Sequence, residues 1–133
     1  METVSRTFNT VLTSIMKLAV DIIAPKDPQF SMVHPNLENP DFWPHFNDCI
    51  GAIDGTHIKM VVAKEKMVQH LNRHNYTSQN VLAVCDFDIR FTFVLARWPG
   101  SVHDMRVFND VMTTFDNKFP HPPPCNVLPM PSK

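Results

Sequence analysis

A chain of 133 residues, 44% of them hydrophobic and 19% charged, has room for one modest core and not for two domains. Its formal net charge of −1 excludes a general electrostatic grip on nucleic acid, and no apolar run approaches the roughly 20 residues that cross a bilayer. The opening METVSRTF lacks a basic-then-apolar leader, which fits an intracellular protein. Cys49, Cys85 and Cys125 form no C-x-x-C and read as reduced thiols, two of them on buried strands.

Val4, Phe8, Val11, Leu12, Ile15, Met16, Ala19, Ile22 and Ile23 recur at helical spacing until Pro25 stops them. The spacing predicts a helix over about 4–24 with one buried stripe. Residues 25–47 hold Pro25, Pro28, Pro35, Pro40 and Pro44 among Asn and Asp, an extended connector held down by Phe42, Trp43 and Phe46. Three strands are expected next, at about 49–62 (bent near Gly55), 80–86 and 90–97. The last two are rich in Val, Phe and Thr and are linked near Phe87-Asp88, which predicts an antiparallel hairpin. Between the first strand and the hairpin, KEKMVQHLNRHN (64–75) reads as a short polar helix or an irregular arm. After Pro99-Gly100 the period changes. Ser101 is a good N-cap, and Val102, Met105, Val107, Phe108, Val111 and Met112 place a helix at about 102–115. The last fourteen residues contain six prolines, too many for a strand or helix, so 120–133 reads as a ragged tail. The fold class is therefore α/β: a helix, a connector, three strands and a crossing helix, the opening half of a larger arrangement.

The candidate chemistry is sparse. Asp54 follows the apolar Cys49-Ile50-Gly51-Ala52-Ile53, where a carboxylate is costly unless paired. It reads either as a ligand for a divalent metal that activates water or a hydroxyl, or as half of an Asp-Gly turn capping its own backbone. Asp104 in GSVHDMR completes a Ser101-x-x-Asp104 capping box or joins Asp54. The latter must bridge two strand spacings, on the order of 10 Å. His57 and His103 flank these acids and read more simply as surface or hydrogen-bonding histidines. His70 and His74 would share a helix face at i, i+4, without a zinc motif around them. Asp86 and Asp88 flank the hairpin turn and serve it. Lys59, Lys64, Lys66, Arg73, Arg97 and Arg106 suit phosphates or a solvated face equally. Residues 1–48 carry 3 basic and 6 acidic side chains, and 49–119 carry 8 and 7, so charge alone singles out no nucleic-acid surface.

CIGAIDGTHIK, YTSQNVLAVCDFDIRFTFVLARWPGSVHDMRVF and the opening ETVSRTFNTVL together resemble the Harbinger-type transposase-derived nucleases, particularly their plant branch. The resemblance covers about residues 2–115. It implies a DDE endonuclease domain of the ribonuclease-H-like fold, whose first three strands form an antiparallel meander before a crossing helix. It also implies two divalent ions, Mg2+ or Mn2+, DNA as the bound partner, cleavage by in-line attack, and a nuclear location. Asp54 matches the first acid of the family triad, and Asp104 the acidic position of its HD-x-R stretch. On this basis 1–24 is the remnant of a helix-turn-helix region, 25–47 a connector, 48–119 the first half of the endonuclease domain and 120–133 a tail.

No residue here matches the second triad acid or the later glutamate, so the chain is expected to be a truncated, inactive copy. The alternative is a domesticated, non-catalytic DNA- or chromatin-associated protein that works through a protein partner, using an exposed sheet edge and the apolar stripe of the first helix. No membrane association is expected.

Overall fold

The chain was described from a computed structural model, which covers residues 2–42, 45–46, 48–114 and 118–123. Trp43, part of the expected connector clamp, lies outside these residues, as do Cys125 and the rest of the proline tail from 124 onward.

Helix α1 (Glu2–Ile22) forms where the apolar spacing placed it. Its Ser and Thr residues stay helical by turning inward. The hydroxyls of Thr10, Thr13 and Ser14 donate to the carbonyls of Arg6, Asn9 and Thr10 at 3.0, 2.8 and 3.1 Å. The expected buried stripe is not found, however, for no residue of α1 is buried, and Phe8 and Ile15 are 64% and 57% exposed. The 3.6-residue periodicity does correspond to a helix, but no described element lies over its apolar face. Beyond it the described residues of the proline-rich connector are irregular apart from a single 3-10 turn, Pro35–Leu37. Leu37 is buried.

The sheet has three strands, β1 (Ala52–Lys59), β2 (Ser78–Cys85) and β3 (Phe91–Pro99), ordered β1-β2-β3 with both pairs antiparallel. β1 is shorter than expected and is not bent at Gly55. Its register against β2 runs unbroken from Ala52↔Cys85 to Lys59↔Ser78. The β2–β3 ladder shifts register twice, between Asn80 and Val81 and between Val84 and Cys85. Such irregularities increase local twist, which helps a helix lie across the sheet. The segment before β2 contains a 3-10 turn (Lys64–Lys66) and a one-turn helix α2 (Met67–His70), followed by a tight loop with a Leu71↔Thr77 bridge.

Helix α3 (Asp104–Thr114) packs on one sheet face. Its Val107 and Val111 are fully buried against Leu82, Val84 and Phe93, with Leu95, Trp98, Val102 and Phe108 around them. Phe119 closes this core, meeting Phe93 and Phe108 edge-on at 5.3 and 5.9 Å. Ser101 does not cap the helix. It lies three positions before Asp104, and its hydroxyl donates to the Gln69 carbonyl at 2.6 Å.

Candidate functional site

The site is set by the register of β1. Directly opposed residues of an antiparallel pair share a face. Gly55↔Leu82 and His57↔Asn80 therefore lie on the α3 side, and Asp54↔Ala83 on the reverse side. Asp54 is not part of a turn, contrary to one of its two sequence readings. It stands inside a regular edge strand, exposed, and its Oδ1 accepts the Gly55 N–H at 2.8 Å.

Asp104 opens α3, on the far side of β2, yet its carboxylate reaches β1. A Cβ built on Gly55 would overlap the Asp104 carboxylate. The two-strand gap is thus closed by contact with the residue that follows Asp54. Asp104 Oδ1 also accepts a 2.7 Å hydrogen bond from Nδ2 of Asn80, whose side chain is fully buried, and the same amide donates to Val102 O at 2.9 Å. Asn80 Oδ1 is buried and has no partner among the described residues. Leaving such an acceptor unpaired costs about 1–3 kcal/mol.

Next to this pair lies a second polar cluster. Ser78 is fully buried. Its Oγ accepts from Asn72 Nδ2 at 3.1 Å and lies 3.2 Å from His57 Nδ1, and its carbonyl accepts the Gly100 N–H at 2.9 Å. His70 Nδ1 lies 3.2 Å from that same carbonyl oxygen. His57 is thus a hydrogen-bonding histidine beside the acids. His103 is exposed and contributes its carbonyl to the first turn of α3. His70 and His74 do not share a helix face, because α2 ends at His70 and His74 lies in the following loop, stacked on Tyr76. The loop closes there because buried Asn72 accepts the His74 N–H, and Asn75 turns at a φ of 60°, a conformation Asn tolerates.

Several of the remaining charges have structural partners. Lys59 lies over the Tyr76 ring at 4.9 Å and Arg106 over Trp98 at 5.9 Å. Asp86 does serve the hairpin turn, its Oδ1 accepting the N–H groups of Asp88 and Arg90 at 3.0 and 2.9 Å. Asp88 reaches the connector, 3.3 Å from His34 Nε2 and 3.2 Å from Lys26 Nζ. The His34 hydrogen bond first, then Lys26, hold its carboxyl below the ordinary value of 3.8. Asp27 is likewise lowered, chiefly by the Ser31 hydroxyl and backbone. Cys49 and Cys85 are free and half-buried, as expected of reduced thiols, though Cys49 precedes β1 rather than lying on a strand.

The oxygen ligands suit a hard cation such as Mg2+ or Mn2+, but their number does not. Among the described residues no group of three His, Cys, Asp or Glu side chains could hold a metal ion. Asp54 and Asp104 supply two carboxylates on either side of one backbone strand, an incomplete ligand set. Both acids stand out in the sequence, whereas Asn80 and Gly55 join the site only in the structure. The available signals were an Asn inside an otherwise apolar strand and a Gly within a strand, which marks a close approach.

The described residues form a mixed α/β arrangement, a three-stranded antiparallel meander followed by a crossing helix, with an acid on the first strand and another at the helix start. The family model described as DDE superfamily endonuclease matches residues 53–124, more than half of the chain, and the protein belongs to that family. The plant protein named Protein ALP1-like, from Arabidopsis thaliana, is 43% identical over 60 residues, 43% of this chain and 14% of that protein, so the match spans about one seventh of the relative's length. Both findings agree with the transposase-derived plant branch. No solved structure matches.

Proposed function

We propose that this chain carries part of a metal-dependent site for cleaving DNA phosphodiesters. Asp54 is the strand-borne ligand for Mg2+ or Mn2+, and Asp104 assists from the start of α3. The observation that supports the reading is the exposed Asp54 carboxylate inside the first strand of a chain whose residues 53–124 match the endonuclease family, with Asp104 reaching the same strand from its opposite face. In this reading residues 48–119 are the opening half of the endonuclease domain, 1–24 and 25–47 its N-terminal helix and connector, 120–133 a tail, and the nucleus the place of action. Two carboxylates leave a pair of ions mostly water-bound, without the clamp that phosphoryl transfer needs. The 133-residue chain by itself is therefore expected to cut no DNA. Supercoiled plasmid incubated with the purified chain and Mg2+ or Mn2+ tests this. The expected result is no nicking above an Asp54→Asn control, whereas strong nicking that Asp54→Asn abolishes would make the chain an enzyme in its own right.

A second reading, a non-catalytic protein working through a partner in chromatin, is favoured by the exposed apolar face of α1. It predicts a defined nuclear partner whose binding is lost in Ile15→Glu. If the partner binds that variant as well as wild type, α1 is not the docking face.

A further inference from the structure

We propose that the arm joining β1 to β2, residues 59–77, grips the backbone of duplex DNA through Lys59, Lys64, Lys66 and Arg73. The proposal deepens the reading of DNA as the partner and rests on that part alone, since it needs neither Asp54 nor a metal ion. The chain carries 12 basic and 13 acidic side chains, yet the arm holds 4 basic residues against Glu65 alone. A net charge of +3 on the arm therefore stands against −4 on the remainder. A protein with no overall attraction for nucleic acid thus has a segment that does attract it.

All four cations are exposed, and none forms an ion pair among the described residues. Two of them are held by rings instead of acids. Lys59 Nζ lies 4.9 Å from the centre of the Tyr76 ring, Tyr76 stacks with His74 at 6.3 Å, and His74 Nε2 accepts the Arg73 Nε–H at 3.3 Å. Two rings therefore join Lys59 and Arg73 into one row. A carboxylate partner would cancel these charges, whereas a ring face or a neutral imidazole only aims them. The arm is also anchored. The Met60 N–H donates to Thr77 O at 3.0 Å, the Thr77 hydroxyl to Met60 O at 2.7 Å, and Ser101 Oγ to Gln69 O at 2.6 Å. The cations start from a fixed backbone and so lose less freedom when they meet an anion. Duplex DNA offers a phosphate about every 1.7 Å of its axis, so cations spread along an arm all find partners. An acidic peptide would have to match their positions one by one.

The test is fluorescence anisotropy of a labelled duplex of arbitrary sequence, with EDTA present so that no metal takes part and nothing is cut. Affinity is measured from low to physiological salt for wild type, Lys59→Gln/Arg73→Gln, Lys64→Gln/Lys66→Gln and the charge-matched control Lys26→Gln/Lys118→Gln. The slope of log K against log salt counts phosphate contacts, at about 0.9 for each on duplex DNA. Each arm variant is expected to lower that slope by roughly 0.9 for every contact it removes, while the control keeps the wild-type slope. All six positions are exposed, and an unchanged urea midpoint checks that each variant is folded. Equal losses in the control and the arm variants would overturn the arm assignment and leave DNA as the partner. No wild-type binding at low salt would overturn both. Polyglutamate displacing the duplex as well as unlabelled DNA of equal charge would reassign the arm to an acidic protein.

Discussion

Ile89 occupies the hairpin turn between β2 and β3 at a φ of 61° and is 88% exposed. A β-branched side chain is strained there, while Asn or Gly is not, and an exposed position loses no packing on substitution. Ile89→Asn should therefore stabilise the chain by about 1 kcal/mol, read from the midpoint of urea unfolding. The glycines give a sharper contrast. At Gly55 an added methyl meets a flexible carboxylate, which can swing aside. At Gly100, itself buried, it would lie 2.7 Å from Ser78 O and 2.8 Å from His70 O, both backbone atoms. Gly100→Ala should cost at least roughly 1–3 kcal/mol in the same measurement, and clearly more than Gly55→Ala. Equal costs at the two positions would mean that the Asp104 carboxylate is as rigidly packed as the backbone.

At the scale of elements, the hairpin turn is joined to the connector by Asp88, which faces His34 and Lys26 while His34 also packs on Phe87 at 5.6 Å. The Asp88 carboxyl titrates below its ordinary value of 3.8, so the folded state binds its proton more weakly than the unfolded chain. Its stabilisation is therefore complete above 3.8 and disappears as pH falls through the lower folded value. Asp88→Asn should lower stability slightly at neutral pH, and the difference from wild type should shrink below pH 3.8. A difference that persists unchanged in acid would assign the effect to hydrogen bonding rather than charge. The effect is small because Asp88 and Lys26 are exposed to water and His34 is only half-buried, where such pairs contribute little.

For the molecule as a whole, stability resides in one core, where Val107 and Val111 of α3 close over Leu82, Val84 and Phe93. Helix α1 buries nothing. Removing residues 2–22 should accordingly change the unfolding free energy of the sheet and α3 by no more than about 0.5 kcal/mol, checked by denaturant unfolding with near-ultraviolet detection of Trp98. A large loss would show that α1 is packed on the core in solution. The exposed stripe also bears on function, since a wide apolar face on one helix is the kind of surface that proteins cover with a partner.

Elements were legible in the sequence wherever a local rule generated them. The apolar period of α1, the Val- and Phe-rich runs of β2 and β3, the helical spacing after Gly100 and the acids at Asp54 and Asp104 follow from side-chain spacing, or from family resemblance carried by short motifs. Several readings failed because they depend on what lies elsewhere in space. Periodicity gives a helix an apolar face but does not say whether anything covers it, so α1 was expected to be buried and is not. An Asp-Gly dipeptide has turn chemistry, but pairing with β2 keeps it extended. The sequence alone determined that an acid stands on the first strand or at a turn beside it, and that another stands at the start of a helix. Only the tertiary structure decided that the second acid reaches across β2 to rest on Gly55, because that contact requires strand register, helix packing and a missing side chain to coincide.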